Sequence, residues 1–313
     1  MIQGEYRPLG TPVKEEHSGG RIDGYLSDLY PFHSRAGWQK RMKTGDVLID
    51  GKTVRSSYRV KAGEEVTLYH PKCLEPEVDR DLYPLWKKGD VMAVYKPGNL
   101  PMHESGPYRK NTFAHIVQEE LGEKWSAVHR LDRETSGIVL CGSTYEVRLD
   151  LSKSLAERVL QKEYIFITKG IPEKESFVEY GPIGDLVQSE IRIKKWVVED
   201  GLPSETRFKL LETRGEYSLM RAYPKTGRTH QIRIHAAVNG LPLLGDKLYH
   251  PNEEVFLEWF ENGDSDWIYE QTGFKRCLLH ATALSFRHPK DESVCEIRCP
   301  MPEDMQNFWD SLL

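Results

Sequence analysis

Residues 129–140 read His-Arg-Leu-Asp-Arg-Glu-Thr-Ser-Gly-Ile-Val-Leu, and this stretch constrains the chain more than any other. Its end is an apolar, β-branched run behind a glycine, the pattern of a buried strand. Its start is a turn that places one carboxylate, Asp132, beside Arg130 and Arg133, with His129 just before. Thr135, Ser136 and Gly137 suit such a turn, because glycine tolerates positive φ and hydroxyls bond nearby backbone. Cations beside an aspartate favour its charged form, which suits a nucleophile or base and not an acid. On these residues alone, an ion pair at a strand start is the simpler explanation.

A second dense string runs from Lys225 to His235, KTGRTHQIRIH. A glycine turn followed by His, Gln, Arg and Ala predicts a helix start, with Gly240 as its stop. The GxxxxGK[ST] spacing of a phosphate-cradling loop is absent. His230 and His235 lie five apart without the intervening Glu of a zinc-binding HExxH helix. The five cysteines, Cys73, Cys141, Cys277, Cys295 and Cys299, form no CxxC pair. Neither a disulfide framework nor a metal site is expected from them. Cys295 and Cys299 lie four apart in a strand-like segment, so both should pack on one face.

The chain has 313 residues, enough for one large domain and a small one. Ile22, Tyr25, Leu26 and Leu29 fall at helical spacing and predict one apolar face. Ser34 predicts the cap of a second helix, with Trp38 and Met42 on one side and Arg35, Lys40, Arg41 and Lys43 elsewhere. Thr44 and Gly45 end it. Residues 47–54 read as a hairpin around Asp50-Gly51, and 66–69 as a further strand. Pro71, Pro76 and Pro84, with mixed charge, mark a linker. Residues 91–98 read as a strand ended by Pro97-Gly98. Asn111 or Thr112 caps a helix that ends at Leu121 and Gly122. Helical spacing returns over 145–161, and Tyr164 leads into a strand over 165–168. Residues 188–198, 206–212 and 217–223 are strand-like. Residues 251–276 are acidic and aromatic without a clean period and read as a surface insertion.

The net charge of −5 disfavours nucleic acid at first sight, but its distribution matters more. Residues 21–61 hold nine Lys or Arg against four Asp or Glu, whereas residues 251–313 hold five against thirteen. Screening within ~10 Å lets a local basic patch bind phosphates on an acidic protein. No run approaches the ~20 apolar residues of a membrane helix. Residues 1–5 lack the basic-then-apolar start of a signal peptide. A soluble, cytoplasmic protein without membrane contact is expected.

The string HRLDxxTSG resembles the signature of the RluA-type pseudouridine synthases, which isomerise uridine in ribosomal and transfer RNA. TGRTHQIRxH at 226–235 and GLPLLGDKLYH at 240–250 resemble further segments of the same family. The helix-helix-hairpin-strand order over 21–70 resembles an S4 RNA-binding domain. The resemblance covers roughly residues 20–313. It implies an α+β fold: a catalytic domain with a mixed, mostly antiparallel β-sheet and flanking helices, plus a small α/β S4-like domain. The implied division is an S4-like domain with its lead-in over 1–75, a linker over 76–90 and a catalytic domain over 91–313.

The resemblance also implies roles. Pseudouridine formation breaks the N1–C1′ bond and remakes it at C5, with no oxidation or hydrolysis, so no cofactor and no metal is expected. Asp132 would attack C1′ or take a C2′ proton. Arg233 would keep it ionised, although a charged helix position can equally face solvent. Tyr164 would face the uracil ring, since a π-face holds a planar base in any rotation. Arg130 would enter the gap left by the flipped nucleotide, stacking its guanidinium on bases. Arg35, Lys40, Arg41 and Lys43 would contact RNA. His129, Thr135, Ser136 and Gly137 would shape the loop, and Glu134 sits at a variable position. The partner is RNA, with ribosomal RNA favoured and transfer RNA open, and a monomer is expected. A non-catalytic RNA-binding or ribosome-associated protein of the same fold is the alternative. A glycoside hydrolase needs two facing carboxyls, and only one stands out.

Overall fold

The computed structural model describes residues 4–10, 12–30, 33–71, 75–156 and 161–312. Two compact units divide the chain, Met1–Pro76 and Glu77–Leu313. Cys73 lies outside the described residues, as do residues 157–160 at the end of the predicted 145–161 helix.

The first unit runs β1 (Gly4–Pro8), α1 (Ile22–Leu29), α2 (Arg35–Lys43), β2 (Val47–Ile49), β3 (Lys52–Thr53) and β4 (Val66–Pro71). Its sheet is antiparallel in the order β1-β4-β2-β3. Ser34 caps α2 by accepting from the Gly37 N–H at 3.2 Å. Trp38 and Met42 point inward with Ile22, Tyr25 and Leu26 of α1. Leu29, expected on that buried face, is exposed instead, because α1 stops there. The β2–β3 turn takes positive φ at Asp50 (45°) and Gly51 (74°). That is the twist a two-residue hairpin requires, and Asp-Gly tolerates it.

The second unit begins inside the stretch expected as linker. Residues 83–88 form a strand, β5 (Tyr83–Lys88), paired with β6 (Val91–Lys96). Pro84 argues against a strand within 76–90, because proline breaks central strands. Here it lies on an edge strand beside a register shift between Pro84 and Trp86, where a missing N–H costs little.

The unit continues with α3 (Phe113–Leu121), β7 (Ser126–Ala127), β8 (Ser136–Gly142), α4 (Tyr145–Ala156), β9 (Gln161–Lys169), β10 (Ser176–Glu179), β11 (Ile183–Asp185) and β12 (Lys195–Val197). Next come β13 (Thr206–Arg214), β14 (Tyr217–Pro224), α5 (Gln231–Val238), α6 (Glu254–Asn262), α7 (Asp266–Thr272), β15 (Leu279–Arg287), β16 (Val294–Arg298) and α8 (Glu303–Ser311). The main sheet follows the order β10-β13-β14-β9-β15-β8-β6-β5, with β16 on β15 and β7 on β8. Among the described residues its one parallel pairing is β8 with β15; the other pairs are antiparallel.

Every residue of β8 is buried, so its apolar run serves both faces of the sheet. Val139 and Cys141 join Met92, Val94 and Phe166 in one core, while Ile138 and Leu140 join Val91, Ala93 and Phe286 in another. Gly137 makes the parallel pairing possible. Its φ is +118°, and a Cβ there would sit 2.3 Å from the Ala281 carbonyl oxygen, a distance no side chain accepts. Cys295 and Cys299 are both buried in the second core, as their spacing predicted.

The expected surface insertion at 251–276 is two helices, α6 and α7, whose Val255, Phe256 and Ile268 are buried. Ser265 caps α7 through the Ile268 N–H at 3.3 Å. Aromatic and acidic residues interrupt its pattern, which hid two short helices. The strand expected over 188–198 shrinks to β12, with turns before it. Among the described residues no helix is long and apolar enough to cross a membrane.

Candidate active site

Asp132 sits on the loop that enters β8, where Leu131 is buried as its anchor. Lys96, fully buried at the end of β6, holds this loop. Its ammonium donates to the carbonyls of Pro97 (2.9 Å), Arg133 (3.0 Å) and Thr135 (2.7 Å). Three donors therefore meet three acceptors, which is full satisfaction for a lysine. The Leu100 N–H adds a bond to the Arg133 carbonyl at 3.0 Å. Ser136 bonds His280 Nδ1 at 3.0 Å beneath the strand start.

The string 225–235 folds back on this loop. Gln231 organises its turn: Oε1 accepts from the Arg228 N–H (3.0 Å) and the Thr226 hydroxyl (2.7 Å), and Nε2 donates to the Glu205 carbonyl (3.0 Å). His230 enters α5 in the left-handed region, φ 57°, a strained choice for a residue with a side chain. α5 then turns Arg233 inward, with its side chain 11% exposed.

The Arg233 guanidinium joins two carboxylates. Nη1 donates to Asp132 Oδ2 at 3.0 Å, while Nε and Nη2 donate to Asp246 Oδ2 and Oδ1 at 2.7 and 2.8 Å. Asp246 is buried, and its Oδ1 also accepts from the Leu248 and Tyr249 N–H groups. Tyr249 covers the cluster: its ring lies 5.0 Å from the guanidinium, and its hydroxyl bonds His230 Nδ1 at 2.9 Å. His230 Nε2 lies 3.8 Å from Asp132 Oδ1.

The electrostatics follow from this packing. Burial pushes the Asp132 carboxyl up, the charges of His230 and Arg233 pull it down, and the net direction is below the usual carboxylate range. Burial lowers His230 to about 4, so at neutral pH Arg233 supplies the cation. Tyr164 is buried beside this cavity, and burial with the Asp132 charge raises its phenol well above the usual range. It is a neutral ring at any ordinary pH.

Asp132, Tyr164 and Arg233 line one cavity of about 510 Å³. Of the two arginines expected beside Asp132, one stays at the cavity and one leaves it. Arg130 lines the same cavity with an exposed side chain. Arg133 turns away to Glu134 (3.1 Å), the Tyr108 hydroxyl (3.3 Å) and the face of Trp259 on α6 (5.2 Å). Glu134, expected at a variable position, ties the loop down by accepting from the Cys277 N–H at 2.7 Å. His129 Nε2 accepts from the Leu140 N–H of β8 at 3.0 Å. Lys162, Lys225 and Arg228 also line the cavity. Lys225 is paired with Glu205 at 2.5 Å, and Arg228 Nε donates to the Pro203 carbonyl at 3.1 Å.

Several of these residues escaped the sequence reading. Asp246 lies thirteen positions from Arg233, and no local spacing links them. His235, the second histidine of the string, is a buried stitch to Thr206 and the Gly181 carbonyl, both at 2.9 Å. Among the described residues no cluster of His, Cys, Asp and Glu could hold a metal ion.

In the first unit the four basic residues of the second helix separate. Arg35 reaches buried Asp23 at 3.0 Å, joined there by Arg21 and Gln39. Arg41 binds Asp46 at 3.1 Å and the Tyr69 carbonyl at 2.9 Å. Lys40 and Lys43 are exposed.

A family model described as RNA pseudouridylate synthase matches residues 90–238, and one described as the S4 domain matches residues 20–66. A Synechocystis protein named as an uncharacterized RNA pseudouridine synthase is 30% identical over 286 residues, covering 90% of this chain and 94% of that one. Ribosomal large subunit pseudouridine synthase D of Xanthomonas campestris is 29% identical over 309 residues, covering 96% and 91%. Ribosomal large subunit pseudouridine synthase C of Escherichia coli K12 is 28% identical over 314 residues, covering 96% and 95%. Among solved structures, human RNA pseudouridylate synthase domain containing 1 has the same fold, with TM-score 0.57, 21% identity, and 76% and 97% coverage.

Proposed function

The chain belongs to the RNA pseudouridylate synthase family and isomerises uridine in RNA, and from that premise we propose that its substrate is ribosomal RNA and that Asp132, Tyr164 and Arg233 perform the reaction. The observation that supports this residue assignment is the 3.0 Å contact between Arg233 and Asp132 inside a cavity that Tyr164 also lines. An ionised carboxylate is what either route needs, attack on C1′ or removal of a C2′ proton. Arg233 holds Asp132 in that state against the cost of burial. Once the N1–C1′ bond opens, the uracil turns against the neutral Tyr164 ring and presents C5 to C1′. The new C–C bond forms, C5 gives up its proton and N1 gains one, so the atoms balance without a cofactor.

A base stacked in an RNA helix cannot reach Asp132 inside this cavity, so the target uridine must leave its stack. Arg130, exposed at the cavity, would fill the vacated position. The preference for ribosomal RNA rests on the S4 match together with relatives named as large-subunit enzymes. Mapping pseudouridine in RNA from cells with and without this protein tests it. Loss of a site in large-subunit ribosomal RNA is expected. Intact ribosomal RNA with a lost transfer RNA site would refute the substrate.

A further inference from the structure

The cavity holds a cation that the reaction itself does not use. Lys162 lies two positions before Tyr164 on β9, so both side chains project from the same face of the strand. Both line the cavity with Asp132. Glu163, between them, faces the other way and pairs with Arg221 at 3.0 Å. Along β9 burial deepens from exposed Gln161 through half-buried Lys162 to buried Tyr164. Lys162 thus lies nearer the mouth and Tyr164 deeper, with their backbones about 6.6 Å apart at strand spacing.

No carboxylate lies within salt-bridge distance of Lys162 among the described residues, in contrast to Lys225, which is neutralised by Glu205. A half-buried ammonium without a counter-charge loses hydration and gains no partner in return. A group from outside the chain would complete it. The group must be anionic, must enter this cavity and must lie closer to the mouth than the base does. In a nucleotide whose base has entered first, that group is its phosphate.

We propose that Lys162 is the residue that binds the phosphodiester of the target nucleotide, seating it while the base rests against Tyr164. This rests on the family reading above and names the contact by which the cavity distinguishes a nucleotide in a strand from a free base.

The test uses the full chain and an in vitro transcript of large-subunit ribosomal RNA, with Lys162→Met, Lys162→Gln and Lys162→Arg. A charge-assisted hydrogen bond of ordinary strength corresponds to about ten- to a hundredfold in affinity. KM should therefore rise by about that factor in the Met and Gln variants, with the loss falling on KM far more than on kcat. Arg should restore most of it. The log–log slope of affinity against salt should flatten by roughly 0.7 to 0.9, the value of one phosphate contact, in Met and Gln but not in Arg. A kcat collapse shared by all three variants, with KM and salt slope unchanged, would overturn the proposal and assign Lys162 to proton transfer. Unchanged KM and slope with normal kcat would overturn it as well. Turnover of the unsubstituted protein on the same transcript reads the substrate assignment separately, because the salt slopes are binding measurements and need no turnover.

Discussion

Arg233 grips Asp246 with two nitrogens, at 2.7 and 2.8 Å, and has one nitrogen left for Asp132, at 3.0 Å. The buried aspartate fixes the guanidinium plane, and the plane fixes the direction from which Asp132 is held. Planar, forked donors do this; a lysine in the same place is a point charge.

Asp246→Asn therefore removes orientation without removing the Asp132 carboxylate. The amide cannot accept from both Nε and Nη2. Turnover should fall on the order of a hundredfold, the usual cost of about an ångström of misplacement. The acidic limb of the pH–rate profile should not move up, because the Asp246 charge raises the Asp132 carboxyl in the intact protein and its loss acts the other way. Steady-state kinetics from pH 4 to 8 check both statements. A full rate would mean that Arg233 needs no such anchor.

Arg233→Ala should shift that same limb upward. In the intact site burial pushes the Asp132 carboxyl up while His230 and Arg233 pull it below the usual carboxylate range. Without Arg233 the burial penalty dominates, the folded-state pKa rises, and activity is lost at a higher pH as acid is added. Stability should drop by about 3–5 kcal/mol, since two buried carboxylates lose their shared cation. Urea unfolding reads the second effect. Arg233→Lys should recover charge but not the fork, and should stay well below the unsubstituted rate.

Lys96→Met should act through the loop. It leaves the Pro97, Arg133 and Thr135 carbonyls without their shared donor. The expected loss is about 2–4 kcal/mol, one unsatisfied buried group or two in net terms after the ammonium's own desolvation is relieved. Urea denaturation measures it. A loss under ~0.5 kcal/mol would mean that the loop is held by its other bonds.

In the first unit, Lys40→Ala with Lys43→Ala should flatten the salt dependence of RNA affinity by about 1.4 to 1.8 in the log–log slope if both meet phosphates. Arg41→Ala should instead cost stability, because Arg41 is bound to Asp46 and the Tyr69 carbonyl. An unchanged slope in the double variant would remove the exposed lysines from the RNA contact.

How far the sequence could be read depends on the range of each interaction. Ser34, Asp50-Gly51 and the run after Gly137 were legible because caps, tight turns and buried strands are written in adjacent residues. That Asp132, Tyr164 and Arg233 line one cavity was anticipated by resemblance alone, and local chemistry pointed to the wrong partner. Arg133 is adjacent to Asp132 in sequence, yet it faces Tyr108 and Trp259. Asp246, Lys96 and Tyr249 act through contacts fixed only when distant segments meet, so no spacing betrays them. The strand at 83–88 was hidden by Pro84, which an edge position makes harmless.

In the proposed mechanism the Asp132 carboxylate performs the isomerisation. Asp132→Asn keeps the shape and the neighbours of this side chain and removes its ability to attack C1′ or accept a proton. Pseudouridine formed in a large-subunit ribosomal RNA transcript, quantified against time for both proteins, tests this most directly. Turnover should fall by about a thousandfold or more, the scale on which a reacting group is lost, while RNA binding is retained. Turnover within tenfold of the unsubstituted protein would contradict it.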